Sequence, residues 1–184
     1  MAKQKSRDEI SKSIRIATEG EDLVRVEELR KHFQVQTGFL ASLLNRGNIP
    51  TVKAVDGVSF TIHRGEVFGL AGESGSGKST IGRLVLRLYE PTSGHVFFDG
   101  IDLQSLSGEE MRLIRSRMQI IFQDPLASLN PRMSLGQAIE HPAQIHMPEL
   151  SLKDRRNRVM EIFHAVGMNP PEAFYDLFPH QISG

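Results

Sequence analysis

The sequence predicts an α/β fold joined to an all-helical region. Three observations carry that reading. A short apolar run at 66–71 (EVFGLA) feeds a glycine-rich loop, and a helix-periodic stretch follows at once. Further alternating or apolar runs lie before residue 125, divided by glycine and proline turn signals. Beyond residue 125 the strand-like runs stop, and serine-capped helices take over.

Residues 1–20 are polar and mixed in charge, and are expected to form a mobile tail. Residues 23–28 (LVRVEE) alternate and predict a strand. Residues 37–50 (TGFLASLLNRGNIP) read as an insertion, an apolar patch between Gly and Asn turn signals. Residues 52–62 predict a second strand, with Asp56-Gly57 as its turn or bend. The run at 66–71 is apolar throughout, which suits a strand buried on both faces. Ile81, Leu84, Val85 and Leu88 recur at helical spacing over 78–89.

A turn at 90–94 (EPTSG), a strand at 95–98 (HVFF) and a turn at Asp99-Gly100 follow. Ser107 and Glu110 have capping-box spacing and open a helix to about Ser116. Residues 118–122 (MQIIF) predict one more strand. Ser134 with Gln137 opens a second helix. Ser151 opens a third, with Val159, Ile162, Phe163 and Val166 on one face and Gly167 as its stop. The expected organisation is a tail at 1–20, a mixed core at 21–125 and a helical region at 126–184.

Bulk properties narrow the function. The 184 residues suffice for a real core. Lys+Arg and Asp+Glu are both 22, so no broad nucleic-acid footprint is expected. There is no cysteine, hence no disulfide framework or thiolate metal site. The N-terminus has no apolar stretch of the signal-peptide kind, and no run of about 18 apolar residues predicts a membrane span. The seven histidines, at 32, 63, 95, 141, 146, 164 and 180, show no metal-ligating spacing.

The sharpest signal is Gly72-Glu-Ser-Gly-Ser-Gly-Lys-Ser79, a full match to G-x-x-x-x-G-K-[ST]. Average composition produces such a match by chance in about one chain of this size in a hundred. The strand and helix expected on its flanks make a mere Gly-Ser turn less plausible still. In this pattern Gly75 and Gly77 let the backbone turn so that successive N–H groups point inward on phosphate oxygens, and Gly72 and Ser74 belong to the same nucleotide-binding set. The helix N-terminus adds partial positive charge. Lys78 would reach the β- and γ-phosphates of ATP, the Ser79 hydroxyl would ligate Mg²⁺, and Thr80 would contact the α-phosphate.

The residues around this loop resemble the nucleotide-binding subunit of an ABC transporter. The Pro-Thr-Ser-Gly turn with its strand and Asp-Gly hairpin, in YEPTSGHVFFDG, is similar to that family. So is Gln123, in IIFQDP, which matches the Q-loop glutamine. The stretch QDPLASLNPRMSLGQAI resembles the oligopeptide and dipeptide permease branch. The resemblance runs from about Leu23 to Gly184. It implies a P-loop NTPase core with an antiparallel β subdomain plus an all-helical subdomain, together an incomplete ABC ATPase domain. It also implies that Gln123 ligates Mg²⁺ or positions the attacking water, and that Phe33 stacks on adenine. A core phenylalanine is the plainer reading of Phe33.

The family's helical subdomain ends in a signature close to L-S-G-G-Q, and Ile182-Ser183-Gly184 match its first three positions. Ser183 and Gly184 would then face the γ-phosphate of ATP on a second subunit, in a homo- or heterodimer. No Walker B strand, catalytic Glu or switch His is found in the 184 residues, so the chain is expected to be truncated within the signature and not to hydrolyse ATP alone. The implied whole is an importer ATPase on the cytoplasmic face of the membrane. Its partners would be transmembrane permease subunits and, indirectly, an extracellular solute-binding protein. Its solute would be peptide, nickel or another small molecule, with no nucleic acid involved. The alternatives are a non-transport ABC ATPase of translation or DNA repair, a P-loop kinase or GTPase, and a fragment without function. The segment 123–140 argues against the first, and the Pro-Thr-Ser-Gly turn with the Q-loop against the second.

Overall fold

A computed structural model describes residues 20–34 and 51–182. The tail at 1–19, the insertion at 37–50 and the pair Ser183-Gly184 lie outside the described residues. The chain separates into two compact units, Met1–Arg115 and Ser116–Gly184. That division precedes residue 125, where the change in sequence texture places it.

The first unit holds one antiparallel sheet of order β2-β1-β3-β4. Its strands are β1 (Asp22–Gln34), β2 (Thr51–His63), β3 (Ser93–Phe98) and the short β4 (Ile101–Asp102). Val24 and Val26 alternate into the core, but the next inward residue is Leu29 rather than Glu28. Glu28 takes φ 45 and forms a bulge, which resets the pleat by one residue. The register records it, with Val26 facing Phe60 and Leu29 facing Val58. Gly94 lies against this bulge at φ 88, where a Cβ would run into the carbonyls of Glu27 and Glu28. The turn at 90–94 therefore needs its glycine.

Asp56-Gly57 is no turn. It sits inside β2 as a second irregularity, with Arg30 facing Asp56. Asp99 (φ 53) and Gly100 (φ 77) make the two-residue hairpin that joins β3 to β4, a geometry needing positive φ twice. Helix α1 (Lys78–Val85) is shorter than the periodic run at 78–89, and buries Ile81 and Leu84. Its successor Arg87 donates from Nη1 to the carbonyls of Leu103 and Leu106 at 2.7 and 2.8 Å. This fastens the end of α1 to the 3-10 turn Leu103–Ser105 before α2 (Gly108–Arg115).

The second unit comprises α3 (Pro125–Ser128), α4 (Leu135–His146), α5 (Leu152–Ala165) and α6 (Glu172–Tyr175), with a 3-10 turn at Pro179–Gln181. Ser134 and Gln137 form the expected capping box on α4. Ser151 accepts from the Asp154 amide at the start of α5. Gly167 ends α5 at φ 82, with Gly167 N bonded to His164 O and Met168 N to Phe163 O, a Schellman closure. Leu135, Val159, Phe163 and Tyr175 form the core, with Ile139, Met160, Met168, Leu177 and Ile182 packed around it.

One acid is buried in this unit. Glu140 accepts from Tyr175 Oη at 2.9 Å, Arg155 Nε at 3.1 Å and Gln144 Nε2 at 3.3 Å. Burial opposes its charge most strongly among single causes. The three hydrogen bonds and the Arg155 charge together outweigh it, and hold the carboxyl below its ordinary 4.5. A group depressed on folding stabilises the fold above its unfolded value, and that contribution fades as pH falls through the folded one. Acid unfolding below about pH 4.5 should therefore be shallower in Glu140→Gln, measured by helical circular dichroism against pH.

Two expected strands are not formed. Residues 66–71 and 118–122 have no regular secondary structure, and neither joins a ladder among the described residues. A strand is completed by its neighbour's N–H and C=O groups, so apolar composition alone does not make one. Phe68 is held by stacking on Phe60 at 5.0 Å and 12°. Val67, Leu70, Ile120 and Ile121 are exposed.

Candidate functional site

The loop between β2 and α1 is where the chemistry concentrates. Residues 72–76 are exposed coil, and α1 begins at Lys78 with no side chain capping its first turn. That turn carries no acid either. The free amides and the helix dipole make an anion site. Gly77 is the helix N-cap at φ 93, in the left-handed region. A Cβ on Gly77 would run into the carbonyl oxygen of Ala54 on β2. The glycine therefore does two things: it reverses the chain and lets the loop lie against the strand. Gly75 (φ 83) turns the loop tip in open space.

Lys78 is bent back over the loop. Its Nζ donates to Gly72 O and Glu73 O at 2.6 Å each, and reaches Ser76 Oγ at 3.4 Å. An ammonium on neutral carbonyls can exchange them for phosphate oxygens, which are stronger acceptors for a charged donor. Ser79 is exposed in the first turn, and Thr80 is half-buried beside it. The structure thus brings Gly72, Ser74, Gly75, Gly77, Lys78, Ser79 and Thr80 into one loop and helix start.

Phe33 lies near the end of β1, half-buried, edge-on to Tyr89 at 5.6 Å and 83°. Lys31 Nζ stands 5.1 Å from its ring. The neighbouring His32 pairs with Asp56 at 3.3 Å. Asp56 is held below its ordinary 3.8 by the Lys53 hydrogen bond first and then that of His32. Gln123 is exposed in the second unit, directly after the segment 118–122. Ser183 and Gly184 lie outside the described residues. Among the described residues no cluster of three or more His, Asp or Glu could hold a metal.

The sequence profile of the ABC transporter family matches residues 55–184, which includes the whole loop. The chain belongs to the ABC transporter family. Among its relatives is the oligopeptide transport ATP-binding protein AppF of Bacillus subtilis, 40% identical over 169 residues, covering 91% of this chain and 49% of that protein. The oligopeptide transport ATP-binding protein OppF of Escherichia coli is 40% identical over 168 residues, with 91% and 49% covered. This ABC chain therefore spans about half the length of the curated relatives it matches. A solved structure of similar fold is the ATP-binding cassette MJ0796, dimeric, in a post-hydrolysis state with ADP and Pi. It is 27% identical with TM-score 0.67, and covers 87% of this chain and 63% of that one. ABC proteins of this fold thus take a nucleotide.

The Glu140–Tyr175–Arg155 group escaped the sequence reading, which saw these helices only as apolar faces. The spacing of Glu140 and Gln144 was the one local hint of a polar contact there.

Proposed function

We propose that this chain supplies the nucleotide-binding part of an importer ATPase subunit, which couples ATP binding and hydrolysis to the uptake of peptides or similar small solutes. The observation that carries this is the Gly72–Ser79 loop opening an uncapped helix in a chain of this family. The AppF and OppF relatives supply the solute class.

In this reading the loop amides and the α1 dipole bind the phosphates, and Lys78 leaves the Gly72 and Glu73 carbonyls to pair with the β- and γ-phosphates. Thr80 contacts the α-phosphate, and Phe33 stacks on the base. Ser79 and Gln123 would hold Mg²⁺, which would neutralise phosphate charge; a hydroxyl and an amide oxygen are suitable hard donors, and phosphate oxygens would complete the set. Ser183 and Gly184 would act on the nucleotide of a second ATPase subunit. Permease subunits would dock the protein at the cytoplasmic face of the membrane, and an extracellular solute-binding protein would select the cargo. No described helix is long and apolar enough to cross a membrane, so attachment through such partners fits.

The 184 residues contain no residue pair that matches Walker B by motif, so binding without turnover is the expected behaviour. The check is calorimetric titration with a non-hydrolysable ATP analogue plus a phosphate-release assay. Saturable binding with release at background supports the proposal. No binding, or release above background that Lys78→Ala abolishes, contradicts it.

A further inference from the structure

Tyr175, Leu177 and Ile182 precede Ser183 in the chain, and each is tied to α4 or to the core that α4 shares. Gly136 lets α4 approach so closely that a Cβ would overlap the Tyr175 ring. Leu135 N donates to Leu177 O at 2.8 Å. Ile182 packs on the cluster of Leu135, Val159, Phe163 and Tyr175. The polar tie at the centre is Tyr175 Oη to Glu140 Oε2 at 2.9 Å, while Arg155 Nε holds the other oxygen at 3.1 Å. Arg155 also donates to Leu150 O at 2.8 Å, at the turn before α5. The Arg156 guanidinium covers the Tyr175 ring at 4.1 Å.

A core that needed only packing would place a leucine at 140, because a buried acid costs more than an apolar side chain unless every lone pair is used. Here three donors from two helices and the Tyr175 segment converge on one carboxylate. Apolar contacts allow sliding, whereas a fixed hydrogen-bond set defines one register.

We propose that Glu140 is a positioning residue: through Tyr175 it fixes segment 175–182, which precedes Ser183 and Gly184 in the chain, in one register on α4. The inference rests on reading Ser183-Gly184 as the start of the signature. Glu140 touches no nucleotide in this scheme. It acts only on the segment that leads to the residues that would.

The test is amide hydrogen exchange on this chain, read separately over 178–182 and over α5. Tyr175→Phe removes one O–H and leaves the apolar packing. It is expected to speed exchange over 178–182 and at Leu135 by about tenfold or more, with α5 changing by less than about threefold. Glu140→Gln keeps an acceptor for Tyr175 and is expected to stay near the parent chain over 178–182. A spectroscopic reading accompanies it. The chain has two tyrosines and no tryptophan, so in a Tyr89→Phe background the ultraviolet titration reports Tyr175 alone. Its ionisation, raised in the fold by burial first and then by Glu140, should move down in Glu140→Gln. Unchanged exchange over 178–182 in Tyr175→Phe overturns the proposal, as does a loss spread evenly over α4 and α5. The signature reading fails separately: if Ser183→Ala leaves ATP-analogue-dependent self-association of the protein unchanged, that reading falls and the exchange result stands.

Discussion

Lys78→Ala is expected to weaken ATP-analogue binding by about a hundredfold or more. The magnitude follows from the loss of two charge-assisted bonds to phosphate, each worth about 1.5–3 kcal/mol, at about 1.4 kcal/mol per tenfold. The Gly72 and Glu73 carbonyls lose a partner as well, but both residues are exposed, so water replaces it. Stability should therefore stay within about 1 kcal/mol, which thermal melting checks. That separation matters, because it lets lost affinity be read as lost phosphate contact. Lys78→Arg tests the geometry: it keeps the charge, but a planar guanidinium replaces a compact ammonium and should recover little of the affinity. Equal affinity of the parent chain and Lys78→Ala would remove the loop from the binding site altogether.

The loop was legible because its information is local. Gly75, Gly77, Lys78 and Ser79 lie within five positions, and the two glycines answer a demand of their own backbone sites. The alternation in β1 was legible too, up to Val26. The bulge at Glu28 was not, because it is defined against distant residues, Phe60 and Val58 across the ladder and Gly94 beside its carbonyls. Glu140 was illegible for the same reason: its main partner, Tyr175, is 35 residues away. The segments 66–71 and 118–122 mark the opposite limit. Their composition states that they belong in a sheet, but pairing belongs to two segments at once, and no described residue supplies the second. The regions of AppF and OppF that lie beyond the match are where such partners would be sought.

Those two segments make the second large effect, self-association of the 184-residue chain. Val67 is 97% exposed and Ile121 is 90% exposed, each inside a run of apolar neighbours. Single exposed apolar residues are ordinary on a protein surface. A run of them on backbone outside any ladder is different, because it offers side chains and unpaired N–H and C=O groups together. The chain at micromolar concentration is expected to scatter light and bind a hydrophobic dye. Val67→Asp with Ile121→Asp should suppress both several-fold, since a charge in such a run opposes strand addition. Neither side chain is packed, so the folded state should lose no more than about 0.5 kcal/mol per substitution. Leu152→Asp is the control that separates the two causes. Leu152 is 73% exposed, but it sits in the first turn of α5, a helical backbone that presents no edge for strand addition. If side-chain exposure alone drove association, Leu152→Asp would help as much as Val67→Asp. If backbone outside regular structure is required, it should change nothing. A parent chain that remains monomeric and dye-free in light scattering would contradict the expectation outright.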